Sequence, residues 1–193
     1  MATIGLRDLY IAPITQDKDG KVAYGEPTRL AKAIQAQLAV TVAEATLYAD
    51  DAVDAKVKEF VSALLTLGIN DLEPQKQALI LGQTMDDDGV VFAGEDDEPP
   101  HFAVGFRARK TGGLYRYVWF YDAMFGIPNE DYNTKGESIT FNTPSIVGTI
   151  IKRWDGLWKA DYVGKPDDPI AKVWFKTVRE PNTATPTEPP TEP

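Results

Sequence analysis

The chain has no cysteine and only one histidine, His101, among 193 residues. Without thiols it can form no disulfide, no Cys-ligated zinc site and no thiol nucleophile. Any His-based triad must use His101, which follows Pro99-Pro100 at the start of an apolar run, with no nucleophile elbow nearby. Positive charge is also scarce. Twenty Lys and Arg face 29 Asp and Glu, for a formal net charge of -9. A phosphate-gripping surface needs clustered cations, so nucleic-acid binding is disfavoured, although lying close to DNA without gripping it is not. No apolar stretch approaches the ~18 residues of a membrane span, no N-terminal segment resembles a signal peptide, and no solenoid-period repeat is present. These features predict a soluble protein made in the cytoplasm. Its length suits one domain with a substantial core.

Other chemistry-bearing patterns are equally thin. Asp86-Asp87-Asp88-Gly89 lacks the alternating ligands and distant Glu of a calcium loop. No glycine pattern suited to phosphate is present, and with 29 acids no carboxylate pair stands out for sugar hydrolysis. The residues therefore point to no catalytic group, no metal site and no cofactor.

What the sequence does contain is strand patterning. Ile4 to Ile14 reads as a first strand, the polar cluster Thr15 to Gly20 as a turn, and Val22 to Tyr24 as a return. Ile34, Ala36, Leu38, Val40 and Val42 alternate with Gln35, Gln37, Ala39 and Thr41, as in a half-buried strand. Asp50 to Gly68 is ambiguous. Val53, Val57, Phe60, Val61, Leu64 and Leu65 make a helical stripe, while Val61, Ala63, Leu65, Leu67 and Ile69 alternate; local pattern alone favours a helix. Asn70 or Asp71 is expected to cap a short helix that Gly82 ends. Met85 to Pro100 is a loop with seven acids (Asp86, Asp87, Asp88, Glu95, Asp96, Asp97, Glu98) and no base, with a short strand at Val90 to Phe92.

His101 to Lys110 and Leu114 to Ile127 read as a hairpin. Its second arm is apolar on both faces, so both faces need cover, some of it expected from a neighbouring subunit. Glu137 to Asn142 and Ser145 to Arg153 are further strands, broken at Pro144, and Trp154 to Trp158 is a turn. Asp168 and Pro169 open a second helix with Ile170, Val173, Trp174 and Val178 as its stripe. Asn182 to Pro193, rich in Thr, Pro and Glu, reads as a disordered tail beyond a single domain over 1–180. The sum predicts a mainly β (α+β) fold, an antiparallel β-sandwich or open barrel with one or two short flanking helices.

Three stretches, AEATLYADDAVDAKVKEFVSALLTLGIND (43–71), EPPHFAVGFRARKTGGLYRYVWFYDAMFGIP (98–128) and NTKGESITFNTPSIVGTIIKR (133–153), together with IGLRDLYIAPIT near the N-terminus, resemble the major tail protein family of non-contractile long-tailed phages. The resemblance covers roughly residues 1–180. It implies a tail-tube fold, rings commonly of six subunits that stack into a tube, and a structural role without enzymatic activity or cofactor. The implied partners are further copies of the chain, the tape-measure protein, and tail-completion and baseplate proteins. DNA would pass through without specific binding. The protein would reside in the virion tail, after assembly in the host cytoplasm.

The resemblance also implies that 57–69 is a strand paired with 34–44. Residues 45–56 then form a long loop in which Leu47, Tyr48, Asp50, Asp51 and Val53 contact a neighbouring subunit. Gln35, Gln37 and Thr41 become candidates for a lumen-facing or ordinary solvated sheet face. Acids along the lumen would keep DNA from sticking. The competing reading is a carbohydrate-binding or virion decoration module using exposed rings at Tyr115, Tyr117 and Trp119, or at Trp154 and Trp158.

Overall fold

A computed structural model describes residues 2–16, 22–49, 52–129 and 143–181, with the backbone alone at 46–49 and 52–56. Its elements in chain order are β1 (Thr3–Gln16), β2 (Val22–Tyr24), β3 (Thr28–Ala31), β4 (Ala33–Ala49), β5 (Ala52–Ile69), α1 (Pro74–Leu81), β6 (Thr84–Met85) and β7 (Val91–Phe92). They continue with β8 (His101–Lys110), β9 (Tyr115–Phe125), β10 (Ser145–Ile150), β11 (Lys159–Gly164) and α2 (Pro169–Val173). Of the turn expected at Thr15 to Gly20, Thr15 and Gln16 instead belong to β1, paired with Ala23 and Val22; the rest of it, the strand at Glu137 to Asn142 and the tail from Asn182 fall outside the described residues.

Nine strands form one antiparallel sheet with the path β2-β1-β8-β9-β10-β5-β4; β3 also pairs with β1 and β11 with β9. β6 and β7 make a separate two-stranded arm. Only Lys32 separates β3, at one side of the path, from β4 at its far end. The sheet therefore curls until those edges approach. It does not close into a barrel, because β1 and β4 line a cleft instead of pairing.

The inside of the curl is the main core. Leu9 and Ile11 of β1, Leu65 and Leu67 of β5, Phe102 and Val104 of β8, Phe120 and Phe125 of β9 and Ile146 and Ile150 of β10 meet there, with Ile80 and Leu81 of α1. Gly82 ends α1 in the left-handed region at φ +68°, and a Cβ there would strike the Glu98 carbonyl, so only glycine fits. The N-cap position of α1 is Glu73, not Asn70 or Asp71, because Pro74 supplies the first helical residue. Asn70 instead accepts the Lys32 N–H on its side-chain oxygen at 2.9 Å, joining the β3–β4 junction to the end of β5.

β5 settles the ambiguous segment as strand. Alternate residues Ala63, Leu65, Leu67 and Ile69 are fully buried, while Leu64, a member of the helical stripe, is about half exposed. Pairing with β4 on one side and β10 on the other overrides the local helical pattern. The expected loop at 45–56 is likewise corrected. Backbone pairing continues through Ala45↔Val57 and Leu47↔Ala55 to Ala49↔Ala52, so this stretch is the outer part of a ribbon.

The outer face of β1, β8, β9 and β11 carries a second core. Tyr117, Trp119 and Tyr121 pack there against Ala171, Trp174 and Val178 of the C-terminal segment. The second face of β9 is thus covered by its own chain, where a neighbouring subunit was expected to contribute. Trp119 donates its indole N–H to the Trp174 carbonyl at 2.9 Å, and Tyr121 donates to the Arg179 carbonyl at 2.7 Å. The second helix is shorter than expected: α2 ends at Val173, leaving Ile170 and Val173 partly exposed while Trp174 and Val178 are buried. Asp168 stands at its N-cap position but accepts from the Tyr162 hydroxyl and the Lys165 N–H, so it closes the preceding turn.

Arg153 pins this C-terminal cover. Its guanidinium is buried, donates to Asp155, to Glu180 at 2.7 Å and to the Tyr24 hydroxyl at 3.2 Å, and lies 4.9 Å over the Tyr121 ring. Those hydrogen bonds from Arg153 hold the Asp155 carboxyl below its ordinary range.

Two stability predictions follow from these contacts. A Cβ at Gly105 would lie 2.6 Å from the Trp119 ring, so Gly105→Ala should cost about 1–3 kcal/mol in chemical denaturation. Arg153→Leu should cost about 2 kcal/mol, because charged hydrogen-bond partners are left behind, and should expose residues 171–179 to hydrogen exchange. The contribution of Asp155 is complete above its ordinary pKa of 3.8 and is lost as pH falls through the lower folded value. The stability difference between pH 7 and pH 2 should therefore shrink in Arg153→Leu.

Candidate functional site

β4 and β5 are 17 and 18 residues long, about three times the usual strand. β10 supports β5 only over Ala63 to Gly68. From Ser62 back to Ala52, β5 pairs with β4 alone among the described residues, and β4 has no partner on its other edge. Eleven residues of two-stranded ribbon, about 35 Å at ~3.3 Å per residue, thus extend past the supported sheet. A two-stranded ribbon is marginally stable in water by itself, and a long free edge is a template for another strand.

The side chains fit that description. Val42, Val57 and Val61 on the ribbon, and Ile34, Val40 and Leu64 in the part of β4–β5 beside β10, are 45–58% exposed. Val40 and Val42 pair with Ala63 and Phe60, residues of the core-facing side, yet the body of the sheet does not reach far enough to cover them. Of the alternating set, Ala36 and Leu38 pack on the core, whereas a register shift between Ala33 and Gln35 leaves Ile34 outside. A second shift at Thr41/Val42 leaves Val61 without a cross-strand partner.

Gln35, Gln37 and Thr41 share the opposite face, across from Gly68, Thr66 and Ser62. Ser145, Val147 and Thr149 of β10 continue that face. From Gln35 to Thr41 this face has no Lys, Arg, Asp or Glu, and the first charge beyond is the exposed Glu59, across from Ala43. Leu47, Tyr48 and Val53 lie in the outer ribbon, with backbone partners Ala55 for Leu47 and Val53 for Tyr48. Asp50 and Asp51 lie outside the described residues.

His101 has a partner that the sequence reading missed. Its Nδ1 is 2.6 Å from Asp122 Oδ1. His101 sits opposite Met124 on β9, so Asp122 is the diagonal neighbour two residues along. A register-level reading of the 101–127 hairpin would have found it. Asp122 is the one hydrogen-bond partner of the imidazole among the described residues, so the pair has no nucleophile attached. Asp86 accepts the N–H groups of Asp88 and Val90, which makes the acidic loop a side-chain-stabilised turn. No cluster of three or more His, Asp or Glu suited to a metal occurs among the described residues.

The rings considered for sugar stacking are mostly unavailable. Tyr117 and Trp119 are buried, Tyr115 lies under Arg107, and Trp158 stacks on Phe60 at 4.3 Å. Trp154 alone is open to water, at 72%.

No protein-family model matches the chain, and no curated protein matches it.

The ribbon's apolar side chains should contribute little to the stability of one chain. Val40→Thr with Val42→Thr is expected to change the unfolding free energy of dilute protein by under ~1 kcal/mol. Leu65→Ala, at a fully buried site where β10 supports β5, should cost about 2–5 kcal/mol. Thermal melts of the two variants at low concentration test the contrast.

Proposed function

We propose that the chain is a tail-tube subunit of a long-tailed phage: a structural protein whose copies form rings, six to a ring, that stack into the conduit for DNA. The observation that carries this reading is the β4–β5 ribbon, with its unsupported length, its free edge and its exposed valines. Those features are costly in a monomer and become useful when another copy supplies a third strand and apolar cover. Half-exposed Val, Ile and Leu side chains each release about 1.5–3 kcal/mol at most on full burial, before ordering costs. The sequence resemblance in four separate segments, in consistent order, supports the same assignment. The tape-measure protein and tail-completion and baseplate proteins are then the heterologous partners.

In this reading the face with Gln35, Gln37 and Thr41, which carries Glu59 but no Lys or Arg, lines the lumen. DNA would slip past because nothing there can replace its counterions, since phosphate affinity requires Lys or Arg. Repulsion by acids is not needed for that.

The reading is tested by electron microscopy of concentrated purified protein, which should show rings or tubes. Leu47→Ser with Tyr48→Ser should leave the circular dichroism spectrum unchanged while lowering the sedimentation coefficient of the assembled material to that of a single chain. A wild-type protein that stays a compact monomer at every concentration, and does not enter tubes with its phage partners, would overturn the assignment.

A further inference from the structure

The molecule is electrically polar along β8. At one end, the β8–β9 turn gathers Arg7, Arg107, Arg109, Lys110, Arg116 and Lys159 through the registers Arg7↔Arg107, Gly5↔Arg109 and Ala108↔Arg116. Two carboxylates answer these cations, and each is already shared. Asp8 lies 2.5 Å from Arg107 and 3.5 Å from Arg29. Asp161 accepts from Arg116 at 2.9 Å and sits 3.0 Å from Lys159. Arg7, Arg109 and Lys110 have no carboxylate partner among the described residues. Beside them the β1–β4 seam opens as a cleft of about 370 Å³, floored by Leu6, Leu38, Phe106 and Val118 and edged by Arg116 and Lys159. That volume is near the lower limit for a binding pocket and suits one or two side chains.

At the other end of β8, ten residues or about 30 Å away, the chain enters His101 from the acidic segment 86–98. None of its seven carboxylates has a basic partner among the described residues. The β6–β7 arm in this segment also holds Met85, Val90 and Phe92 in water, with Phe92 at 55%. One end thus carries excess cations around an apolar cleft, and the other carries excess acids around exposed apolar side chains.

We infer that copies of this chain join end to end, with the β6–β7 arm of one copy seated on the cleft and basic turn of the next. The inference rests on the self-assembly reading and adds which surfaces meet along the axis. Because the two surfaces differ, the contact is heterologous and leaves a free end at each step, so it propagates without limit. Charge on exposed surfaces acts over only ~8 Å in physiological salt, so the contact should weaken steeply as salt rises.

Charge reversal tests the contact, using residues whose side chains make no hydrogen bond among the described residues, all exposed except the half-buried Lys110. One variant carries Asp87→Lys, Asp88→Lys and Asp96→Lys; the other carries Arg7→Glu, Arg109→Glu and Lys110→Glu. Each should keep the wild-type circular dichroism spectrum and need a concentration about tenfold or more higher to elongate, read by sedimentation and electron microscopy. An equimolar mixture should elongate again, because each reversed end then meets its complement. Raising NaCl from 50 to 500 mM should likewise inhibit wild-type elongation. Wild-type protein that elongates while ignoring all six reversals, or folded variants that stay apart when mixed, would overturn the end-to-end contact and leave the tube reading standing. A wild-type chain that never associates would remove both.

Discussion

A strand's backbone N–H and C=O groups have to be satisfied, and a ribbon of two strands satisfies only its inner edges. β4 and β5 run through that situation for eleven residues beyond the last contact with β10. Everything else about the fold sharpens the problem. The curled sheet buries its interior around Leu65, Phe102, Phe120 and Ile146. The C-terminal segment buries the reverse side around Trp119 and Trp174. After both faces of β9 are covered from within the chain, the ribbon remains, among the described residues, an extension of paired backbone with Val42, Val57 and Val61 in water.

The division of labour between the two cores follows from how β9 is used. Its first half pairs with β11 and its last residues with β10, so one strand belongs to two diverging sheet edges. Divergence requires large side chains on both faces, which is why Tyr117, Trp119 and Tyr121 alternate with Val118 and Phe120; past a register shift, Ala123 and Phe125 take over the main-core side and Met124 turns outward. Gly105, opposite Trp119 on β8, leaves the room that the indole occupies. The buried Arg153 then fixes the cover in place through groups from three parts of the chain, Tyr24, Asp155 and Glu180. A β-rich body stabilised this thoroughly can carry an unsupported ribbon that would be marginal by itself.

Most strands were legible in the sequence because period-two alternation and turn residues coincide, as at 4–14, 101–110, 114–127 and 145–153. Residues 53–65 were not, because Val53, Val57, Phe60, Val61, Leu64 and Leu65 satisfy a helical stripe as well as a strand. Cross-strand pairing with β4, separated in sequence, decides between them, and the family resemblance anticipated that outcome where local pattern did not. The paired outer ribbon at 45–49 and 52–56 was hidden because LYADDAVDAK has the acids and small residues of a loop. The cover over β9 was assigned partly to another subunit because the sequence offers few helices to supply it. The packing residues are instead Trp174, Phe175 and Val178, beyond the helix end. His101 and Asp122 were not linked because their proximity depends on register, which composition does not reveal.

Charge placement and strand polarity together constrain what an assembly of this chain can be. In an antiparallel path, β4 runs in the same sense as β8, so the outer ribbon projects past the basic end, away from the acidic arm. Lateral contacts through the outer ribbon of β4 would then use a different part of the strand from the cleft at Ile34 to Leu38, where the proposed axial contact would sit. A contact that closes on itself limits growth, whereas a head-to-tail contact does not. A molecule with one surface of each kind can make closed rings that stack in one direction. The face of β4, β5 and β10 with Gln35, Gln37 and Thr41 takes part in neither charged end, which leaves it available to line whatever space the ring encloses.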